Sequence, residues 1–376
     1  MSDAPSRHPP VQDPVQEPVS PDATAAPRRK RGARFTEIAA AAGVSTTTVN
    51  RVLNERGSVS PDMRARVVAA AKQLGVPRVL PDPRHGLTRF DVVLADSATP
   101  YFRRLDLALQ RAAQTLDPRI LIHRHHVNAE DAARVQQALT RPGHRRDGLI
   151  VALHDSEPVR AALRAQIERQ VPVATLMSAI GDVAGLHYAG IDNRLAGRTA
   201  GHFIGRLCRQ PGQVLLLTNT LDYRAHAERV RGCAEVLSER HPQLLCSPPI
   251  ACLDDADRCQ LALQQALNQA QRSGVPVVGL YHSGAGSAGI AATLQRLTPQ
   301  QRPVWIGHEI SDEHRTLLRL GLMDLVIDQD PDGQVASSLR HLLHATGYVE
   351  QPAPAEPNDF RIFCAENLGR GAYLED

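Results

Sequence analysis

Residues 34–77 read RFTEIAAAAGVSTTTVNRVLNERGSVSPDMRARVVAAAKQLGVP, and the punctuation of this stretch predicts three short helices. Thr36 is the candidate cap of the first, whose inward face is Ile38, Ala39 and Ala42. Gly43 ends it, because a tight turn there needs a residue that tolerates positive φ. Ser45 then caps a second helix, with Val49, Val52 and Leu53 facing inward at helical spacing. Thr46, Thr47, Asn50, Arg51 and Asn54 share its opposite face. Ser60 caps a third helix, Pro61 occupies its first position, Asp62 lies near the positive dipole end, and Gly75 and Pro77 stop it.

The small residues Ala39, Ala42 and Gly43 let the first two helices cross closely, so a short polar turn projects the second one outward. Its exposed face carries the chemistry for reading duplex DNA. An Arg grips guanine bidentately, an Asn grips adenine, and a Thr meets a thymine methyl or a phosphate. Charge agrees. Residues 28–80 hold eleven Lys and Arg against three Asp and Glu, a net +8, so the remainder carries −5 of the overall +3. A basic module joined to an acidic body predicts that the module alone meets a polyanion. The run Arg28-Arg29-Lys30-Arg31 reads either as a phosphate-contacting arm or as a solvated charge cluster. Residues 1–33, rich in Pro and polar residues before that run, are predicted to be disordered.

From Phe90 the texture changes. Short apolar runs such as FDVVLAD (90–96), DGLIVAL (147–153), QVLLLTN (213–219) and DLVIDQ (324–329) alternate with amphipathic stretches such as 102–116, 193–207 and 224–240. Strands alternating with helices at this spacing predict parallel sheets, and eight or more strands suit two Rossmann-like α/β lobes better than one sheet. The expected division is a tail at 1–33, an all-α head at 34–77, a linker at 78–89 and a two-lobed body at 90–376.

The segment A-x-x-A-G-V-S-x-x-T-V-x-R-V-L-N, ending at Asn54 and followed by V-S-P-x-x-R-x-R-V, resembles the lactose/galactose repressor family. The resemblance runs through residues 34–376. It implies a periplasmic-binding-protein-like sensor behind a helix-turn-helix head, and a repressor whose grip on its operator is relieved by a ligand. By motif position, Thr46, Thr47 and Arg51 stand where the family reads bases, while Arg34, Ser45, Asn50 and Asn54 stand at phosphate or supporting positions. The family's hinge helix with its minor-groove Leu has no clean counterpart. The stretch VPRVLPDPRHGLTR (76–89) is broken by prolines, and Leu80 and Leu87 are the candidate wedges.

A cleft ligand is expected at the C-terminal ends of the strands. DSATPYF (96–102) resembles an aromatic corner of sugar-binding proteins, which selects Asp96, Tyr101 and Phe102, although the two aromatics read equally well as core packing. DYRAHAERVRG (222–232) resembles a family segment that selects Arg229. YHSGAG, IGHE and VIDQDP select His282, Glu309 and Gln329. Asp192 reads as the cap of the following helix rather than as a ligand contact. Such a mixture of Arg, Glu, Gln, His and aromatics suits a neutral sugar or polyol, with a sugar phosphate or acidic sugar as the alternative.

The chain lacks an apolar run long enough for a membrane span and lacks a secretory leader, so it is expected in the cytoplasm, associated with the nucleoid. Six scattered cysteines without a CxxC pair read as reduced thiols. His123, His125 and His126 lack matching ligands elsewhere, so no metal and no other cofactor is expected. No Ser/His/Asp or paired-carboxylate motif stands at a recognisable spacing, so the chain is not expected to be an enzyme. The expected partners are a pseudo-palindromic double-stranded operator, a small effector and a second copy of the chain. The competing class is a solute-binding protein or sugar-modifying enzyme with a helical N-terminal extension. It predicts an export signal or a catalytic constellation.

Overall fold

The computed structural model describes residues 35–56, 58–76, 80 and 87–369. Arg34, the tail and most of the linker therefore lie outside the described residues. The chain divides into two compact units at Leu80/Pro81.

The head consists of α1 (Phe35–Ala42), α2 (Thr46–Leu53) and α3 (Pro61–Gln73). Ile38, Ala39, Ala42, Val49, Val52 and Leu53 meet Val67, Val68, Ala70 and Ala71 in one small core. Helix α1 already contains Phe35, so Thr36 is an interior residue and not the cap expected from sequence. The turn behaves as expected: Gly43 sits at φ +62° and Ser45 Oγ accepts from Thr48 N at 3.1 Å. Sequence reading overlooked Arg66, whose Nη2 donates to the carbonyls of Ala42 (2.6 Å) and Gly43 (3.2 Å). That guanidinium satisfies the open C-terminal end of α1 from α3 and so pins the turn before α2. Leu80 is half-buried against the head's core, and a role as a groove-entering wedge would require it to leave that packing.

The second unit has two α/β lobes. The first comprises β1 (Thr88–Ala95), α4 (Pro100–Thr115), β2 (Ile120–Val127), α5 (Ala132–Thr140), β3 (Gly148–Ala152), α6 (Glu157–Glu168), β4 (Val173–Thr175) and β5 (Leu186–Tyr188). Residues 88 and 89, assigned to the linker from sequence, are the start of β1. The second lobe runs through α7 (Asn193–Leu207), β6 (Gly212–Thr218), α8 (Arg224–Arg240), β7 (Leu244–Cys246), β8 (Ile250–Ala251) and α9 (Ala256–Ser273). It continues through β9 (Val277–His282), α10 (Ser287–Leu294), β10 (Val304–His308), α11 (Asp312–Arg319) and β11 (Leu325–Asp328). Helix α12 (Pro331–Ala345) returns to pack Val335, Leu339 and Leu342 against Phe90, Val92 and Leu94 of the first lobe. Strand β12 (Arg361–Phe363) then rejoins the second sheet. The chain thus passes between the lobes three times.

The strand orders are β2-β1-β3-β4-β5 and β12-β11-β10-β9-β6-β7, with β8 also paired to β6. All pairings are parallel except that of β12 with β11, which corrects the expectation of purely parallel sheets. A strand flanked on both sides by its sequence successors marks a switch point, where neighbouring connections leave on opposite faces and open a crevice. Strands β1 and β6 hold those positions, so residues just after Ala95 and Thr218 look into the space between the lobes.

Close approach of α7 and α8 depends on two glycines. A Cβ at Gly197 would lie 1.9 Å from the Arg229 carbonyl oxygen, and one at Gly232 would lie 2.2 Å from that of Arg194. This crossing places Arg229 against the crevice. Asp192 caps α7 as expected, accepting from Leu195 N at 2.8 Å.

Candidate functional site

On the head, Thr46, Thr47, Arg51 and Asn54 are exposed while Val49, Val52 and Leu53 are buried, so α2 presents a polar face from a packed back. Asn50 is half-buried and its Oδ1 accepts from Asn54 Nδ2 one turn later. These two amides orient each other, which leaves Thr46, Thr47 and Arg51 as the groups with freedom to reach a base edge. Ser45 is committed to the helix N-terminus through Thr48, in keeping with a supporting part.

In the two-lobed unit, a cavity of about 310 Å³ lies between the C-terminal ends of the two sheets, the size of a small-ligand site. Six of the seven residues singled out from sequence line it: Asp96, Tyr101, Phe102, Arg229, Glu309 and Gln329. His282 does not. It is the last residue of β9, wholly buried, and its ring points to Cys259 Sγ at 3.7 Å and Ser287 Oγ at 3.5 Å behind the wall. Its neighbour Ser283 takes the lining position.

The floor is built around Arg229, which is 2% exposed. Its Nε donates to Asn193 Oδ1 at 2.7 Å and its Nη1 to the Ser283 carbonyl at 3.1 Å. Its Nη2 is buried without a protein partner. Gln329 donates through Nε2 to Glu309 Oε1, and its own Oε1 is buried and unpartnered. His308 binds the Tyr281 hydroxyl through Nε2 at 2.7 Å, and its Nδ1 is also unpartnered. Each unmet buried polar group costs about 1–3 kcal/mol. All three residues line the cavity, with these unmet atoms buried in its wall, where a small rearrangement on binding would let a polar ligand meet them.

Glu309 sits at φ +62°, a backbone conformation that aims its carboxylate back between the lobes. Arg104, from α4 of the first lobe, donates through Nη1 to Glu309 Oε2 at 3.2 Å. The same guanidinium holds Asp328 of the second lobe through both terminal nitrogens. Arg104 is 3% exposed and Asp328 is fully buried, so this is a desolvated latch across the crevice. One cation serves two carboxylates there. Burial, with the charge of Asp328, pushes the Glu309 carboxyl up to about 7.

The aromatic corner is placed as expected but is already engaged. Tyr101 donates its hydroxyl to Gln334 Oε1 at 2.8 Å, and Phe102 meets its ring edge-on at 5.4 Å. Sequence reading missed His226, His308, His314, Asp254, Asn219 and Asn128 on the same wall. Asn128 and Asn219 each follow a strand end, so the strand-terminus rule would have found them. Asp254 follows β8, two residues too short to leave a periodic signal, and Leu253 and Asp254 both have positive φ. The three histidines are held neutral. Burial pushes His226 down to about 3 and His314 to about 4, and depresses His308 strongly.

Among the described residues, no group of three or more His, Cys, Asp or Glu stands together in a way that could hold a metal ion. His123 instead meets the ring of His144 at 4.3 Å, and His144 and Arg146 bind the buried Asp91 at 2.9 and 2.7 Å. Among the described residues, no helix is long and apolar enough to cross a membrane.

Comparison with known proteins matches this geometry. Residues 90–347 match the periplasmic binding protein domain family, and residues 35–76 match the lacI family of bacterial regulatory proteins. An HTH-type transcriptional regulator of Mycobacterium tuberculosis is 30% identical over 224 residues, which cover 54% of this chain and 59% of that relative. The match thus spans about three fifths of the relative's length. Among solved structures, a solute-binding protein of Burkholderia graminis in complex with D-arabinose superimposes with a TM-score of 0.66 at 16% identity, over 76% of this chain and 98% of that one. GanP, a glucose-galactose binding protein from Geobacillus stearothermophilus, gives 0.64 at 17%, over 75% and 98%. At such identities these two show the fold. Over residues 90–347 the chain belongs to the periplasmic binding protein domain family, and its head, residues 35–76, is similar to the lacI family of bacterial regulatory proteins.

Proposed function

We propose that the chain is a sequence-specific DNA-binding transcriptional regulator whose operator affinity changes when a small sugar or polyol fills the cavity between its lobes. One observation carries the reading. The same chain holds an exposed Thr46/Thr47/Arg51 face on a capped, packed helix and a cavity lined by Arg229, Gln329 and His308, each of which has an unsatisfied buried polar atom. The first suits a DNA groove and the second suits a polyhydroxy ligand.

The regulator acts as a homodimer in the cytoplasm. One head covers a few base pairs, and two heads on a two-fold axis match a pseudo-palindrome. Hydroxyls of the effector occupy Arg229 Nη2, Gln329 Oε1 and His308 Nδ1, while the latch of Arg104 on Glu309 and Asp328 holds the lobes together. The effector can shift DNA affinity only by its differential affinity for the two lobe arrangements. Relief of repression on effector binding is the expected direction.

The experiment is selection of genomic fragments by the purified full-length chain, followed by sequencing. The reading predicts enrichment of one inverted-repeat motif. Absence of any enriched motif, or binding that ignores sequence, contradicts it.

A further inference from the structure

The charge of the cavity points to the chemistry of its ligand. Five carboxylates line it, from Asp96, Glu130, Asp254, Glu309 and Glu313, against one permanent cation, Arg229. The lining histidines add nothing to the positive side, because burial keeps them neutral. The charges separate by depth. On the floor, Arg104 with Glu309 and Asp328 leaves one net negative charge when all three are ionised, and Arg229 offsets it. With Glu309 titrating near 7, the floor as a whole lies between neutral and one net positive charge at pH 7, and its residues offer both donors and acceptors to hydroxyl groups.

The mouth is different. None of Asp96, Glu130, Asp254 and Glu313 is in an ion pair among the described residues. Asp254 accepts only neutral donors, Ala285 N at 2.7 Å and the Asn219 amide. Burial raises the carboxyls of Asp254 and Glu313 above their ordinary values, yet the ionisable groups at this opening are all acids, so it presents a negative potential to whatever enters. A phosphate or carboxylate on the ligand would meet that field with nothing but Arg229 to offset it.

We propose that the effector is an amino sugar or amino polyol, its hydroxyls on Arg229, Gln329 and His308 and its ammonium group facing Asp96, Glu130, Asp254 and Glu313. The inference rests on reading this cavity as the effector site, and it replaces a neutral sugar with a cationic one. It also rejects sugar phosphates and acidic sugars.

Isothermal titration of the full-length chain at pH 7 tests it with matched probes: D-glucosamine and D-glucose, D-galactosamine and D-galactose, 1-amino-1-deoxysorbitol and sorbitol, and D-glucose 6-phosphate. At least one amine should bind about tenfold or more tightly than its uncharged parent. The advantage should shrink in 0.5 M salt, where the screening length falls to a few ångströms, about 4 Å. The phosphate should not bind. In the double variant Glu130→Gln/Glu313→Gln, both positions being exposed, the preference for the amine should fall severalfold while binding of the uncharged parent is unchanged. Equal or tighter binding of the uncharged parents overturns the inference and leaves the sugar reading standing, as does an amine preference indifferent to both salt and the double variant. Failure of every probe to bind removes the sugar reading and this inference with it.

Discussion

Replacing Arg104 by Met tests the latch between the lobes. Methionine keeps an unbranched apolar stem but withdraws the one cation shared by Asp328 and Glu309. Arg104 is 3% exposed and Asp328 0%, so solvent cannot take over the lost interaction. Removing one partner of a buried pair costs about 3–5 kcal/mol, mostly as the penalty of the stranded charge. For a unit of this size that lowers Tm by about 6–20 °C. The assay is thermal unfolding of the full-length chain at pH 7.5, with the single variants Arg104→Met and Asp328→Asn and the double variant compared as a cycle. Because the stranded carboxylate carries the penalty, the double variant should be more stable than Arg104→Met alone, with a coupling of at least about 1 kcal/mol. A loss below about 1 kcal/mol in the single variant, or a double variant no better than additive, would refute the reasoning.

Three further outcomes are expected. Glu309 keeps its proton up to about pH 7 in the folded sensor instead of the ordinary 4.5. The folded state therefore binds more protons across that window, and stability is full below it and falls by up to about 3 kcal/mol as pH rises through it. Glu309→Gln should remove this decline in a urea-denaturation series from pH 5 to 8, and an unchanged slope would assign the titration elsewhere. Gly197→Ala forces a Cβ onto the Arg229 carbonyl and should cost about 1–3 kcal/mol, with loss of effector binding because α8 is pushed out of place. Calorimetry on the folded variant checks the second part, and intact effector affinity contradicts it. Arg66→Ala strips the hydrogen-bonding cap from α1, and operator affinity should fall at least severalfold although Arg66 itself need not touch DNA. Rescue by Lys, which can donate to the same carbonyls, separates that effect from general misfolding.

The sequence made legible whatever is written in periodicity or capping. Helix boundaries such as Asn193–Leu207 and Arg224–Arg240 coincide with the amphipathic stretches, because a helix flanking a sheet must bury one face. The cap by Asp192 and the positive φ at Gly43 were legible for the same reason: each meets a local backbone demand. Long-range features were not. Nothing in the apolar pattern announces that Arg104 reaches Asp328, 224 positions away, because the pairing depends on how the two lobes face each other. His282 was misplaced by analogy of position, since at the end of a strand buried on both faces one residue decides whether a side chain enters the cavity or the core. The antiparallel β12 was missed because three residues at a sheet edge carry too little pattern.

The exposed face of α2 is the surface proposed to read the operator. Its most direct measurement is fluorescence anisotropy on the operator recovered by selection, comparing the wild-type chain with Arg51→Ala at fixed salt. Arg51 is exposed and outside the head's core, so the variant should fold normally, lose operator affinity by about 1–3 kcal/mol and discriminate less at one base pair of each half-site. Undiminished affinity with unchanged discrimination at every base pair would contradict the account.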